Sequence, residues 1–236
     1  MTTSSAPLIA SAFDEVAFEV PYYRVSDAMH PDLADAMASM ALPPVIVDAK
    51  VASDDLAGAR RLVALGFRMV CMQVTLGLDA SAVSGGPFPG VEIASPSTME
   101  PTVLSAHVRN FRYDRFALDF RLPAKGRARL YSAWLANSLS GRDGVMSARD
   151  GANVCTFRVN RYELTIDLLS VLEGGRGIGT RLLAAVADYA GQQAARLVTV
   201  TTECENVPAW RLYQKSAFLP LGYTKVFHYV EGVQPA

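Results

Sequence analysis

The first eighty residues alternate between strand-like and helix-like spacing of apolar side chains. Strands show a two-residue period and helices a period of three to four residues. From these periods we predict a strand over Ala17–Val25, a helix over Pro31–Met40, a strand over Val45–Val47, a helix after Ser53 and a strand over Phe67–Leu76. Ser53 suits the start of its helix as a cap, and Gly66 suits the end because glycine readily adopts the left-handed conformation.

The alternation of strands and helices continues beyond residue 102. We predict strands over Val103–Val108, Val145–Ala148, Asn153–Val159, Tyr162–Leu172, Leu197–Thr202 and Phe218–Val230, and helices over Ala124–Leu139, Ile178–Gly191 and Pro208–Lys215. Asp79–Pro101 is rich in glycine and proline, including Gly85, Gly86 and Pro87, and such residues interrupt regular structure. We therefore divide the chain into residues 1–80, a linker or long surface loop over 81–102, and residues 103–236.

Composition narrows the classes of protein that fit this pattern. Of the 236 residues, 50% are hydrophobic and 19% are charged, which favours a packed core. The net charge of −1 offers no basic field for nucleic acid. The three cysteines are far apart in the chain, odd in number and without nearby histidines, which argues against a zinc cluster or a disulfide framework. No apolar run approaches the roughly 20 residues that cross a bilayer, and no secretory signal opens the chain. We therefore expect a cytoplasmic protein that binds neither nucleic acid nor membrane.

A glycine-rich loop follows the strand predicted over Tyr162–Leu172 and opens the next helix; its sequence is Gly174-Gly175-Arg176-Gly177-Ile178-Gly179. Backbone N–H groups in such a loop, together with the positive end of the helix, suit a pyrophosphate. A tight turn that binds nothing is the alternative. Thr180 and Arg181 follow the last glycine, so the lysine of a P-loop is missing, and the glycine spacing differs from a Rossmann fingerprint.

This segment resembles the acyl-CoA loop of the GNAT family of N-acetyltransferases. Gly177 and Gly179 fall on the glycines of the family pattern, whereas Gly174 stands where Gln or Arg is usual. A second resemblance follows at the right distance: the family pattern Asn-x-x-Ala-x-x-Leu-Tyr-x-x-x-Gly-Phe is matched by Asn206, Ala209, Leu212, Tyr213 and Phe218, with Ala217 in place of the glycine. Two ordered motifs are more specific than either alone.

The resemblance implies an α/β (α+β) fold whose mixed, mostly antiparallel sheet is flanked by helices. It implies acetyl-CoA as co-substrate and no metal. Backbone groups at Leu169 and Val171 and the side chain of Asn206 would bind pantetheine, and Tyr213 would protonate the departing sulfur. The loop residues that would bind the cofactor are Gly174, Gly175, Arg176, Gly177, Ile178, Gly179 and Thr180. A tyrosine that only fills the interface between helix and sheet remains the alternative for Tyr213.

The base that would accept the proton of the amine stays open. Asp167, Glu203 and Glu205 lie on or near strand ends, and His107 and His228 are no better placed by the sequence. An amine can also lose its proton through water.

The first part of the chain repeats the spacing of the second motif. Asp55, Gly58, Leu62, Gly66 and Phe67 follow the spacing of Asn206, Ala209, Tyr213, Ala217 and Phe218. This suggests a truncated GNAT-like unit over residues 1–80 before a catalytic domain over 103–236, although chance similarity of two short units is an alternative. With Leu62 in place of the acid and no glycine loop, the unit should not bind CoA. We expect it to complete the sheet, shape the acceptor pocket or support a homodimer.

A truncated unit joined to a catalytic one resembles the dTDP-fucosamine acetyltransferases. The resemblance extends over Leu65–Arg68, Val74–Leu76, Leu130, Tyr131, Trp134 and Thr201–Tyr213. It implies that the acceptor is a small amine, the 4-amino group of a dTDP-4-amino-4,6-dideoxyhexose. Arg109, Arg112 and Arg115 would then bind nucleotide phosphates, or else form a solvated basic face. The alternatives are an acetyltransferase for a protein or antibiotic amine and a CoA-binding sensor without catalysis.

Overall fold

The computed structural model describes residues 6–40, 43–82 and 88–235. Within these ranges, ten strands form one sheet and eight α-helices flank it. The strands are β1 (Leu8–Ala10), β2 (Tyr22–Val25), β3 (Val45–Ala52), β4 (Arg68–Asp79), β5 (Val91–Ala94), β6 (Met146–Asp150), β7 (Asn153–Asn160), β8 (Glu163–Ser170), β9 (Leu197–Glu203) and β10 (Leu219–Glu231). The helices are α1 (Ala12–Phe18), α2 (Leu33–Ala38), α3 (Leu56–Ala64), α4 (Pro101–Asn110), α5 (Arg115–Leu118), α6 (Ala124–Leu139), α7 (Ile178–Gln192) and α8 (Val207–Lys215).

The sheet has the strand order β1-β2-β3-β10-β4-β9-β8-β7-β6-β5. Only the pairs β2–β3 and β8–β9 are parallel among the described strands. The predicted mixed, mostly antiparallel sheet is therefore confirmed. Its two faces bury different helices: α1, α4 and α6 contribute to one apolar cluster with Val154 and Leu168, whereas α7 and α8 contribute to another with Cys155 and Ile166.

Strand β4 inserts between β9 and β10, and β10 in turn separates β3 from β4. Residues 1–80 and 103–236 therefore share one continuous sheet. Strand pairing follows the internal repeat. The offset between Asp55 and Asn206 also separates Ala52 from Glu203 and Gln73 from Thr224. Ala52 pairs with Thr224, and Glu203 pairs with Gln73 in the same way. The repeated spacing thus extends to the register of strands far apart in the chain.

Both copies of the repeat also begin and end their helix in the same way. The carboxylate of Asp55 accepts a hydrogen bond from the Gly58 N–H (2.8 Å), and the side chain of Asn206 accepts one from the Ala209 N–H (3.3 Å). Asp55, and not Ser53, is the cap of α3, so the prediction for Ser53 was wrong. Beyond each helix, the next turn has a positive φ, +89° at Gly66 and +62° at Ala217.

Two predicted strands are partly or wholly helical. Ala17 and Phe18 belong to α1, and the strand that follows is only β2. Phe18 is buried against α6, where a Cβ on Gly126 would lie 2.5 Å from the Phe18 ring. Residues 103–108 lie within α4, because Pro101 occupies its first turn, where proline favours a helix start.

The predicted linker or loop over 81–102 contains regular structure. Strand β5 lies within it and pairs antiparallel with β6 at the edge of the sheet. The glycines and proline at 85–87 lie outside the described residues.

Candidate functional site

The sheet opens between β8 and β9. Their parallel pairing ends at Ile166–Val200, and a bulge on β8 leaves Asp167 between the pairs Phe157–Ile166 and Thr156–Leu168. Because β8 is then held only by β7, its remaining residues and the end of β9 line a cavity of about 1090 Å³. A groove between two splayed parallel strands leaves backbone groups free for a ligand.

The glycine-rich loop forms one end of this cavity. A Cβ added at Gly174, Gly175 or Gly177 would meet no atom within 4 Å, and φ is +84° at Gly175 and +70° at Gly177. At Gly179 the same atom would lie 2.9 Å from Leu212, so this glycine allows α7 to approach α8 closely.

Most of the predicted loop residues line the cavity. Ile178, Thr180 and the four glycines do so, whereas Arg176 does not and forms an ion pair with Glu173 (2.7 Å). Backbone N–H groups at the start of α7 therefore adjoin open space, which is the arrangement that binds anions at helix N-termini.

Leu169 and Val171 lie along the cavity on the last part of β8 and just beyond it. The Leu172 N–H donates to Asn153 Oδ1 on β7 (2.8 Å). Since successive backbone groups of a strand point in opposite directions, those of Leu169 and Val171 point away from β7. The Val171 carbonyl already accepts a hydrogen bond from Asn110 Nδ2 (2.8 Å).

Asn206 and Tyr213 line the cavity from α8. Besides its capping bond, Asn206 donates from Nδ2 to Thr202 Oγ1 (3.2 Å). Tyr213 is buried and packs on Phe218 with ring centroids 5.4 Å apart. Burial, followed by the neighbouring Cys155 and Glu203, raises its pKa, so the hydroxyl stays protonated. That hydroxyl has no hydrogen-bond partner among the described residues.

The carboxylate candidates for a base differ in their surroundings. Glu205 is exposed and does not line the cavity. Asp167 lines it but accepts two hydrogen bonds from Arg158, at 3.0 and 3.1 Å. Glu203 lines the cavity and is buried, and burial is the largest cause that raises its pKa.

Both histidine candidates are buried and already engaged. His107 bonds through Nδ1 to Ser170 Oγ (2.7 Å) and through Nε2 to the Ala152 carbonyl (2.8 Å). His228 bonds through Nδ1 to Asp119 (2.9 Å) and does not line the cavity. Burial is the largest cause that lowers the pKa of each.

Lys50 and Gln73 line the cavity from β3 and β4, and sequence reasoning did not single them out for the site. Lys50 is exposed to solvent on one side, but partial desolvation at the cavity wall and the charge of Arg115 lower its pKa to about 8. Their signal in the sequence is a polar residue between two apolar neighbours, Ala49 and Val51 for Lys50 and Met72 and Val74 for Gln73. That signal identifies no partner, because the cavity forms only when β3 and β4 enter the shared sheet.

An aromatic wall, Phe111, Tyr131 and Trp134, bounds the cavity beside α6. Tyr131 stacks on Phe111 at 4.7 Å and on Trp134 at 5.8 Å. The three arginines predicted to act together do not all lie at the cavity. Arg112 and Arg115 line the cavity, whereas Arg109 does not.

Arg115 forms an ion pair with Asp48 (3.3 Å). Its buried Nε has no partner in the described parts of the chain. Across residues 6–40, 43–82 and 88–235, no group of three metal-ligating side chains is found, and no helix is long and apolar enough to cross a membrane.

Residues 166–218 match the Acetyltransferase (GNAT) family model. The chain is 25% identical over 219 residues to dTDP-fucosamine acetyltransferase of Escherichia coli O6:H1, an alignment that covers 88% of this chain and 93% of that protein. It is 28% identical over 137 residues to the spore coat polysaccharide biosynthesis protein SpsD of Bacillus subtilis, covering 55% of this chain. The match spans about half of SpsD, 47% of its length.

Solved structures share the fold. A GCN5-related N-acetyltransferase from Sphaerobacter thermophilus superposes with a TM-score of 0.57 at 16% identity, covering 96% of this chain and 77% of the other. A tandem GNAT protein from the clavulanic acid biosynthesis pathway gives 0.54 at 16% identity, covering 89% and 75%. Together, the opened sheet, the glycine loop at the start of α7 and the family match over residues 166–218 identify a GNAT acetyltransferase domain in this chain.

Proposed function

We propose that the protein transfers the acetyl group of acetyl-CoA to the primary amine of a nucleotide-linked amino sugar, with the 4-amino group of a dTDP-4-amino-4,6-dideoxyhexose as the first acceptor to test. The observation that carries the proposal is the cavity between β8 and β9, which has the glycine-rich loop and the start of α7 at one end and an aromatic, cationic wall elsewhere. The similarity to dTDP-fucosamine acetyltransferase over 88% of the chain supports this acceptor.

The loop side suits acetyl-CoA. Open space over Gly174, Gly175 and Gly177 lets a pyrophosphate approach the backbone N–H groups at the start of α7. Arg211 and Lys215 line the same cavity from α8 and add positive charge. The pantetheine arm would then lie along Leu169–Val171, Asn206 would support it, and Arg176 and Thr180 would flank the phosphates.

Tyr213 would act where the thioester breaks. A departing thiolate needs a proton, and a phenol kept protonated by burial holds one at neutral pH. Its hydroxyl is free of other partners in the described chain, so it can turn to the sulfur without breaking a hydrogen bond.

The opposite wall suits a nucleotide. Aromatic faces such as Trp134 and Phe111 stack on a base, and such stacking contributes about 1–3 kcal/mol. Lys50, Arg112 and the unpartnered Nε of Arg115 provide positive groups for phosphates. We further propose that residues 103–236 form the catalytic unit, that 81–102 connect it to the first part, and that residues 1–80 complete its sheet and acceptor pocket.

The test is acetyl transfer from labelled acetyl-CoA to dTDP-4-amino-4,6-dideoxygalactose, compared with a peptide amine and an aminoglycoside. We expect transfer to the nucleotide sugar with the highest kcat/KM. Preference for either other amine would contradict the acceptor, and acetyl-CoA binding without any transfer would favour the sensor. The Tyr213→Phe variant should lose roughly 10²-fold or more in kcat while acetyl-CoA affinity in calorimetry is unchanged. Tyr162→Phe, an exposed tyrosine, is the matched control.

A further inference from the structure

A carboxylate and an amide from the two parts of the chain meet inside the cavity. Glu203 ends β9, and Gln73 lies directly opposite it on β4. Gln73 Nε2 donates to Glu203 Oε1 at 3.0 Å, and the backbone N–H of Arg115 donates to the same oxygen at 3.2 Å. Both side chains are buried and both line the cavity.

We propose that Glu203 is the catalytic base that takes the proton of the acceptor ammonium, and that Gln73 is the residue that positions its carboxylate. This inference rests on the proposed acetyl transfer. With Oε1 held by two donors, the carboxylate cannot rotate freely. Oε2 accepts no hydrogen bond from another side chain of the described residues, which leaves it available to an amine in the cavity.

The other carboxylates near the opening are less suited to this role. Both carboxylate oxygens of Asp167 already accept a hydrogen bond from Arg158, so neither is free for an amine. Glu205, two residues beyond Glu203, is exposed and outside the cavity. It is the same residue type on the same segment and therefore a matched control.

Several charged or titratable groups surround Glu203: Lys50 of β3, Cys71 of β4, Asp114 and Arg115 at the start of α5, Tyr131 of α6, Cys204 after β9 and Tyr213 of α8. Burial raises the pKa of Glu203 most, and Asp114 adds to this, while the hydrogen bonds from Gln73 and from its own backbone N–H and the charge of Arg115 lower it. The net direction is upward. A carboxylate with a raised pKa accepts a proton more readily near neutral pH.

Proton transfers to and from Glu203 and Tyr213 accompany the proposed acetyl transfer. The acceptor ammonium gives one proton to Glu203, and the lone pair of the neutral amine forms the N–C bond with the thioester carbonyl. When the C–S bond breaks, its electron pair stays on sulfur, which takes the proton of the Tyr213 hydroxyl. The second amine proton returns to the Tyr213 oxygen as the amide forms. Glu203 then releases its proton to solvent, so the products are the amide, CoA thiol and one proton.

The first experiment compares Glu203→Gln with Glu205→Gln in the full chain, using whichever amine of the panel wild type acetylates. We expect kcat/KM to fall by roughly 10²-fold or more in Glu203→Gln and by less than about 2-fold in Glu205→Gln. In the pH profile of kcat/KM, wild-type activity should rise with pH along one acidic limb, and Glu203→Gln should lack that limb. Acetyl-CoA affinity, measured by calorimetry, should be the same in all three proteins.

The second experiment tests Gln73 as a positioning residue. Gln73→Met removes the donor to Oε1 and keeps a similar side-chain volume. Loss of a donor to the charged form raises the pKa of the carboxylate, so the acidic limb should move to higher pH while kcat on the plateau stays within a few-fold of wild type. A merely structural role would lower kcat at every pH and leave the limb in place.

The outcomes separate this inference from the proposed function. If wild type acetylates no amine of the panel, the proposed function is overturned, and the inference with it. If wild type is active but Glu203→Gln keeps the limb and most of its kcat/KM, the inference alone is overturned. The same holds if Glu205→Gln shows the larger loss or if Gln73→Met leaves the limb unmoved.

Discussion

Ala217 occupies a backbone conformation that favours glycine, and replacing it should stabilise the protein. The residue is exposed and follows α8 with φ +62°. A side chain in the left-handed region costs roughly 1–2 kcal/mol, which glycine avoids. The greater conformational freedom of glycine in the unfolded chain reduces this gain by about 0.4–1 kcal/mol. Because the exposed methyl group adds little packing, Ala217→Gly should stabilise the fold by roughly 0.5–1 kcal/mol.

The assay is thermal and urea unfolding of Ala217→Gly beside Ala133→Gly. Ala133 is an exposed residue in the middle of α6, where the same substitution should cost about 1 kcal/mol. For a chain of this size, the stabilisation corresponds to a rise of about 1–4 °C in Tm. At Gly66, the counterpart of Ala217, the reverse substitution Gly66→Ala should destabilise the fold. Its φ is +89°, and an added Cβ would lie 3.3 Å from the Tyr229 ring. Equal destabilisation by Ala217→Gly and Ala133→Gly would show that the positive φ at Ala217 carries no such cost.

Three further predictions concern the helix caps, the loop and acid stability. Asp55→Ala should cost about 1 kcal/mol of unfolding free energy and leave acetyl-CoA affinity unchanged, whereas Asn206→Ala should lower both the unfolding free energy and the affinity. If calorimetry finds the same acetyl-CoA affinity in the two variants, the assignment of Asn206 is contradicted. Gly177→Ala should lose roughly 1–2 kcal/mol of stability and weaken acetyl-CoA binding, because φ there is +70°. Burial lowers the pKa of His228, so the unfolded chain binds its proton first and stability should fall as pH drops below about 6.5, the ordinary histidine pKa. His228→Gln should flatten that part of the urea-derived stability curve, and an unchanged slope would exclude this source.

Elements with strong local signals were predictable. Helix α6 has the predicted bounds, and α7 differs by one residue from Ile178–Gly191. Both have an apolar stripe, and glycines lie directly before the start of α7. The strand predicted over residues 103–108 failed because a short apolar run fits either period, and the proline at its start decides for a helix. The edge strand β5 was missed because its partner β6 lies about fifty residues away in the chain.

The same distinction applies to the site. The glycine loop and the pair Asn206 and Tyr213 are recognisable from spacing within single segments. The contact of Gln73 with Glu203 joins residues 130 positions apart, and it depends on the register of β4 against β9. No local pattern carries that register, so the sequence left several carboxylates as equal candidates for the base. Burial and hydrogen bonding then distinguish them.

The two copies of the repeat use the same strand-helix-strand unit in different ways. In the second copy the parallel strands diverge and leave the cavity. In the first copy Ala28 is buried beside α3, where a Cβ on Gly58 would lie 3.2 Å from the Ala28 methyl group. The first copy also reaches the site, because the shared sheet brings Lys50 and Gln73 to the cavity that Glu203 lines. If the proposed acceptor binds in this cavity, changes in β3 and β4 should alter acceptor choice without any change in the glycine-rich loop.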